Sequence, residues 1–177
     1  MKTEFRLQQH GSLQYYTIPS FDADGTVVHG FTARHGGISG VPYQGLNLAF
    51  HVGDDPDKVR ANREAVATAL GFSPEKLVTA DQVHGDRIVT VTAEHAGMGA
   101  MDYASAIAAT DALITNVPGI PIATFYADCV PVFVLDPVRK AIGLVHAGWK
   151  GTVRKIAQKT VIRMSETYGT RPGDCII

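Results

Sequence analysis

The chain has 177 residues, of which 45% are hydrophobic, and this predicts one globular domain that buries roughly 70% of its unfolded surface without help from disulfides. Its net charge of −1, with both signs interspersed, excludes a basic nucleic-acid-binding tract and an acidic tail. The N-terminal residues lack the apolar run of a signal peptide. No window reaches the ~18 apolar residues of a membrane span. Two cysteines without a disulfide framework indicate a cytoplasmic protein with reduced thiols.

Strands, one shaped loop and one clear helix are predicted in the first half of the chain. Residues 13–20 and 26–34 have the apolar and β-branched composition of strands. Residues 34–48 are too rich in glycine for a helix and predict a long loop. The helix is predicted between Asp55, a typical N-cap, and Gly71, a typical C-terminal stop.

The second half is predicted to alternate strands with turns before a final helix. Residues 76–92 and 110–128 each predict two strands around a turn. Residues 141–169 predict one strand followed by one helix that Gly169 ends. Residues 171–177 predict a turn that enters a further strand. A strand that starts so near the last residue predicts that the sequence is part of a longer chain.

An apolar run at residues 123–137 is interrupted by Asp128, Cys129 and Pro131. A carboxylate in an apolar run is costly unless something compensates it. Proline cannot donate to a sheet ladder, so the run is predicted to be two strands that meet at a bend. A thiol and a carboxylate side by side at such a bend suggest a functional site, although Asp128 could simply cap the bend through its own backbone.

Two histidines are placed where they could join Cys129. His146 ends an apolar strand just before a helix, and His84 lies at the tip between two extended runs. Two imidazoles and a thiolate bind Zn²⁺ at about 2.0–2.3 Å, and an open fourth position is typical of a catalytic site. The separations of 45 and 17 residues match no short metal-binding motif. A small buried cysteine and surface histidines are therefore left open as alternatives.

Further polar side chains are candidates for anion binding. Lys150 lies at the start of the predicted last helix, where backbone N–H groups also favour anions. Arg34 offers a planar guanidinium suited to phosphate or carboxylate, and Asn47 lies near a turn. Each of these could instead be a solvated loop residue. Trp149 could stack on a ring, but a tryptophan beside a helix start is more typical of core packing.

Several sequence motifs occur together and in order: RHGGIS, GLNLAFHVGDDPDKVRANR, DQVHGD, TDALIT, ADCVP and VHAGWKGT. In this the chain closely resembles the YfiH/FAMIN family, whose members are described both as polyphenol oxidoreductases (laccases) and as purine nucleoside phosphorylases. The resemblance implies an α/β fold with mixed β-sheets packed between α-helices, as a single domain over residues 1–177. It also implies that this domain continues beyond Ile177 in relatives, so that its C-terminal part is absent here.

The same resemblance implies a zinc site made by His84, Cys129 and His146. It implies that further residues line the pocket: Arg34, Asn47, Gln82, Asp111 and Lys150. The implied reaction is phosphorolysis of adenosine, inosine and related nucleosides such as guanosine and methylthioadenosine, with adenosine deamination as a companion activity. In this hypothesis Arg34 and Lys150 hold phosphate and Asp111 protonates the leaving purine, while in deamination Asp128 or Asp111 moves the proton.

Three alternative functions remain open from the sequence. A laccase-like oxidation could use copper at the same site, but a multicopper array needs paired His-X-His motifs, and none of the seven histidines is two residues from another. A metal-free hydrolase could use Cys129 as nucleophile and His146 as base. A non-catalytic module could hold structural zinc. The resemblance implies small-molecule substrates, a purine nucleoside and phosphate, and the sequence makes no prediction of oligomeric state.

Overall fold

The computed structural model describes residues 5–177, and their backbone contacts divide the chain into two compact units, with the boundary between Pro74 and Glu75. The fold is mixed α/β, as expected. The single-domain assignment stays a prediction. In residues 5–177, no helix combines the length and apolar character needed to cross a bilayer.

The first unit contains a small antiparallel sheet and two helices. Its strands, in the order β1-β2-β3, and its helices are β1 (Arg6–His10), β2 (Leu13–Thr17), α1 (Pro19–Asp24), β3 (Phe31–Thr32) and α2 (Pro56–Leu70). The strand predicted at residues 13–20 therefore ends early. The reason is Pro19, whose restricted φ angle suits the first turn of a helix.

Helix α2 follows its sequence signals closely. The Asp55 carboxylate accepts a hydrogen bond from the backbone N–H of Asp57 at 3.0 Å, and Gly71 closes the helix with φ +75°. The buried Asn62 of α2 extends into the predicted loop, where it bonds Ser39 and the carbonyl of Asn47. The loop prediction for residues 34–48 is confirmed, and α2 supplies the hydrogen bonds that this loop lacks internally.

The second unit is built around a mixed four-stranded sheet in the order β4-β5-β7-β6. Its strands and helices are β4 (Ile88–Thr90), β5 (Ala112–Thr115), β6 (Val130–Asp136), β7 (Ala141–Ala147), α3 (Trp149–Val153) and α4 (Ile156–Tyr168). β4 runs parallel to β5, whereas β5–β7 and β6–β7 are antiparallel. Short 3₁₀ turns lie at Phe50–Val52, Pro74–Lys76, Ala93–His95 and Pro172–Asp174.

β5 is the centre of the hydrophobic core of this unit, with side chains buried on both faces. Leu113 packs into one cluster with Val78 and Val91, and Ile114 packs into another with Met164 of α4. α4 approaches β7 at Gly143, where an added Cβ would lie 3.1 Å from the Met164 sulfur. The missing side chain thus lets the helix lie close to the sheet.

Three predictions of strands and helices in this unit are wrong. The predicted final helix is two helices, α3 and α4, which are separated at Lys155, where φ is +62°. Residues 123–137 contain only one strand, β6, so that Cys129 precedes a strand instead of ending one. The second strand expected within residues 110–128 is reduced to an isolated bridge at Ile122.

Two more segments match their predictions in part. The strand pair expected at residues 76–92 has β4 as its second member, but its first member is reduced to single bridges at Val78 and Ala80. Near the last residue of the sequence, Ile176 exchanges two hydrogen bonds with Leu135 of β6 in an isolated antiparallel bridge.

Candidate metal centre

The structure brings His84, Cys129 and His146 together. One possible donor atom from each lies within 4.8 Å of the others, and the two imidazole rings meet edge to face at 4.9 Å. His146 is buried, Cys129 is partly buried and His84 is exposed. A tetrahedral zinc ion would hold such donors about 3.3–3.8 Å apart, so small side-chain movements are enough to close the set around one ion.

The pairing of β6 with β7 explains why two of the three candidate ligands, Cys129 and His146, lie close together. His146 near the end of β7 lies opposite Pro131 of β6, so Cys129 enters the same end of this strand pair. Pro131 fits an edge strand. Leu135 donates its N–H outward to Ile176, and by strand alternation Pro131 also faces outward, where its missing N–H costs no bond to β7.

Asp111 fixes the position of His84 relative to His146. Its buried carboxylate accepts hydrogen bonds from the backbone N–H groups of His84 at 2.9 Å, Gly85 at 2.7 Å and Val83 at 3.3 Å. The same carboxylate accepts one from His146 Nδ1 at 2.8 Å. The three consecutive N–H groups converge because His84 adopts a left-handed conformation, with φ +59°.

These contacts determine the charge of Asp111 and the free nitrogen of His146. Burial raises the pKa of Asp111, but the hydrogen bonds from His146, Gly85 and His84 outweigh it and hold the pKa below its ordinary value. Asp111 is therefore ionised, and Nδ1 of His146 carries the proton that it donates. Nε2 is the nitrogen left for a metal, an arrangement typical of metal-binding histidines.

Gln82 and Tyr126 complete the surroundings of the three ligands. The Gln82 amide donates to the carbonyl of Phe125 at 2.8 Å and accepts from its N–H at 2.7 Å. The Tyr126 ring lies 5.5 Å from that of His146, and its hydroxyl donates to the carbonyl of Val145 at 3.0 Å. We did not expect Tyr126 from the sequence; its place three residues before Cys129, in YADC, was the available signal.

The remaining candidate residues are more exposed. Asp128 and Lys150 are exposed, and Lys150 belongs to the five-residue helix α3 instead of the long helix predicted. Trp149 is 71% exposed, with the Lys150 ammonium 5.6 Å from its ring centre, so the expectation of core packing is wrong. In the first unit, Arg34 donates twice to the carbonyl of Gln44, and Asn47 bonds Asp54 within the loop.

Gly148 is a second residue that the sequence did not single out. A Cβ added there would lie 2.8 Å from His84 Cδ2 and 3.3 Å from the Cys129 sulfur. The glycine between His146 and helix α3 thus makes room for the side chains of both other ligands.

Replacing Gly148 with alanine is expected to destabilise the fold by about 1–3 kcal/mol, because the new methyl group displaces the His84 ring. Metal affinity is expected to fall with it. Urea unfolding and metal titration measure the two effects. Gly173→Ala, where nothing lies within 4 Å of the added Cβ, is the matched control. Unchanged metal affinity in Gly148→Ala would show that the side chains of His84 and Cys129 do not need the space next to Gly148 to bind metal.

The donor set fits zinc or copper better than magnesium or calcium, because thiolate and imidazole are soft ligands. Among residues 5–177, these three side chains form the one group of three or more potential ligands close enough to share an ion. The site therefore suits one metal ion held by three protein donors.

Comparison with known proteins gives a consistent result. Residues 28–177 match the sequence model of the family described as multi-copper polyphenol oxidoreductase laccase. Among curated relatives, purine nucleoside phosphorylase YlmD of Bacillus subtilis (strain 168) is 41% identical over 148 residues, covering 84% of this chain and 53% of the relative. Purine nucleoside phosphorylase YlmD of Geobacillus stearothermophilus is 44% identical over 150 residues, covering 85% of this chain and 55% of the relative.

Solved structures agree with this. The Bacillus licheniformis hypothetical protein YfiH superposes with a TM-score of 0.89 at 40% identity, covering 97% of this chain and 62% of that one. YlmD from Geobacillus stearothermophilus superposes with a TM-score of 0.89 at 37% identity, covering 97% of this chain and 63% of that one. The chain spans about half the length of the curated relatives that it matches.

Proposed function

Because this chain belongs to the multi-copper polyphenol oxidoreductase laccase family, we propose that it provides the metal centre of a zinc-dependent purine nucleoside phosphorylase. The observation that carries the proposal is the group of His84, Cys129 and His146, with Nδ1 of His146 bonded to Asp111. Relatives that are 41% and 44% identical carry the name purine nucleoside phosphorylase, which supports purine nucleosides and phosphate as the substrates.

Phosphorolysis breaks the bond between ribose C1′ and the purine nitrogen and forms a bond from C1′ to a phosphate oxygen. Positive charge develops at C1′ in the transition state, so phosphate must be held close and the leaving purine must gain a proton. A bound zinc ion would supply a Lewis acid with one open position. The protein side chains have to provide the anion site and the proton.

We assign phosphate binding to Lys150. For Arg34 and Asn47, which belong to the first unit, the proposed phosphate and nucleoside contacts follow from the family resemblance. Lys150 is supported by its exposed ammonium on the helix that directly follows the His146 strand. Arg34 makes its two side-chain bonds to a single backbone carbonyl through Nε and Nη2, which leaves Nη1 for an anion. Both assignments follow the chemistry of these cations.

Proton transfer is assigned to Asp128. This carboxylate is exposed and adjacent to Cys129, whereas four donors already occupy the oxygens of Asp111. Adenosine deamination is the companion reaction we propose. In it, water forms a bond to purine C6 and the amino group leaves from C6 as ammonia, while a carboxylate transfers the proton from the water to the leaving nitrogen.

Two alternatives have weaker support. A metal-free hydrolase needs a reactive thiolate, but burial, together with the Asp128 and Asp111 carboxylates, raises the pKa of Cys129. Copper-dependent phenol oxidation of the multicopper type needs several coordinated copper ions, and the described residues gather only one group of ligands. Metal analysis combined with substrate assays distinguishes two further cases, a single copper ion at this group and zinc in a purely structural role.

The test combines metal analysis with a substrate assay. Protein prepared in metal-free buffer is expected to contain about one equivalent of zinc, and to release adenine from adenosine only when phosphate is added. Ammonia release without phosphate measures the deaminase reaction. Zinc without turnover of either kind would favour the structural module, and copper with phenol oxidation would overturn the proposal.

Replacing Lys150 with alanine is expected to raise the KM for phosphate about tenfold, the order expected when one charge-assisted contact is lost, while the KM for nucleoside changes little. Lys76→Ala, an exposed lysine at a 3₁₀ turn, is the control. Steady-state kinetics with each substrate varied in turn make the measurement. Equal increases in both KM values would show that Lys150 does not act as a phosphate ligand.

A further inference from the structure

The side chain of Gln82 pairs with the backbone of Phe125 as a neighbouring strand would. Its Nε2 donates to the Phe125 carbonyl at 2.8 Å, and its Oε1 accepts the Phe125 N–H at 2.7 Å. The sequence resemblance implied that Gln82 contacts the substrate. In the structure, both polar atoms of its amide are directed to protein backbone.

This pairing compensates for the strand that is missing before Cys129. Residues 123–129 belong to no strand, so their backbone groups lack a sheet ladder. Ala123 donates its N–H to the carbonyl of Val78, and Phe125 is bonded by Gln82. A partly buried peptide group without such a partner costs about 1–3 kcal/mol. Gln82 therefore holds the segment that leads into Cys129.

The position of Gln82 also connects two of the three metal ligands. Gln82 lies two residues before His84, and Phe125 lies four residues before Cys129. Asp111 connects the same loop to His146 on the other side. The His84 loop is thus bonded to each of the segments that carry the other two ligands, and neither connection involves the metal.

We propose that Gln82 is a positioning residue that sets the distance between His84 and Cys129 before metal binds, and that it is not a substrate contact. This rests on the metal centre proposed above. With the donors already held in place, metal binding does not have to order two flexible segments, and affinity gains what that ordering would have cost. Loss of such outer contacts to metal ligands typically weakens binding by about 10–100-fold.

The test replaces Gln82 with leucine, which keeps much of the volume and removes both hydrogen bonds. Cobalt(II) affinity, measured by the thiolate-to-cobalt absorption in competition with a chelator, is expected to fall about 10–100-fold. The KM values for nucleoside and phosphate at saturating zinc are expected to stay within about twofold, because no substrate contact is lost. Gln158→Leu, on the exposed face of α4, is the matched control.

Two further measurements test the positioning role of Gln82, one with a second substitution and one with a readout that does not depend on catalysis. Gln82→Glu keeps an acceptor for the Phe125 N–H but places its other oxygen against the Phe125 carbonyl, so its cobalt affinity is also expected to fall below that of wild type. In metal-free protein, amide hydrogen exchange of residues 123–129 is expected to speed up in Gln82→Leu.

The outcomes separate this inference from the proposed function. A raised nucleoside KM with unchanged cobalt affinity, or unchanged hydrogen exchange, would overturn the positioning role. Wild-type protein that binds cobalt but cleaves no nucleoside would remove the proposed reaction and leave the positioning role in place. Wild-type protein that binds no cobalt would overturn both.

Discussion

Replacing Cys129 with alanine is expected to abolish metal retention and the phosphate-dependent release of purine base together. Cys129 supplies the one thiolate of the donor group, and the two histidines alone form a weaker site. We expect metal affinity to fall by about 100-fold or more, since even contacts outside the ligands cost 10–100-fold. Elemental analysis after dialysis and an adenosine assay with excess phosphate measure the two losses.

The other cysteine of the chain provides the control. Cys175 packs beside the core cluster that contains Met164, so Cys175→Ala tests the loss of a thiol outside the metal centre. It is expected to keep both metal and activity at a small cost in stability. Full activity in Cys129→Ala would rule out the ligand assignment. Activity lost with metal retained would instead favour a thiol nucleophile.

Replacing Asp111 with asparagine is expected to destabilise the protein by about 2–4 kcal/mol and to weaken metal binding. The amide that replaces one carboxylate oxygen would point N–H groups at backbone N–H groups, or at Nδ1 of His146. Because the pKa of Asp111 is lowered in the folded state, its contribution is present near neutral pH and is lost as the pH falls through that value. Urea unfolding as a function of pH measures both effects.

Asp136 is a matched buried carboxylate for this experiment. Its Oδ1 accepts the N–H groups of Val138 and Arg139 at 3.0 Å each, and within the described residues its Oδ2 has no hydrogen-bond partner. An asparagine there can place its NH₂ at the Oδ2 position without facing a donor, so Asp136→Asn is expected to cost less than about 1 kcal/mol. Equal destabilisation by the two substitutions would argue that burial, and not the four donors, makes Asp111 sensitive.

Local signals were sufficient for some elements and not for others. Helix α2 was predictable because its cap, its proline and its final glycine all act within the helix itself. The break at Lys155 was not, because no proline or glycine marks it and both sides share one apolar period. A tertiary contact lies close to this break in the helix. Gly151 of α3 packs against Gly85, and a Cβ added at Gly151 would lie 2.8 Å from the Gly85 carbonyl oxygen.

Local sequence signals also do not predict how the residues of the metal centre come together. Separations of 45 and 17 residues carry no information about convergence. The family resemblance implies the three ligands, and the β6–β7 register with the Asp111 hydrogen bonds explains how they meet. The resemblance implies that both Asp111 and Gln82 line the pocket, with Asp111 as a proton-transfer group and Gln82 as a substrate contact. Their present contacts depend on backbone groups far away in the chain, which no local pattern encodes.

The β6–β7 hairpin keeps its two ends apart in a way that matters for engineering. Cys129 and His146 lie at the open end, and the turn at residues 137–140, with Val138 exposed, lies at the other. Seven residues of extended strand separate the ends by about 20 Å. An affinity tag or reporter dye attached at this tip would therefore leave the reacting groups undisturbed, and could be used to follow the protein during assays.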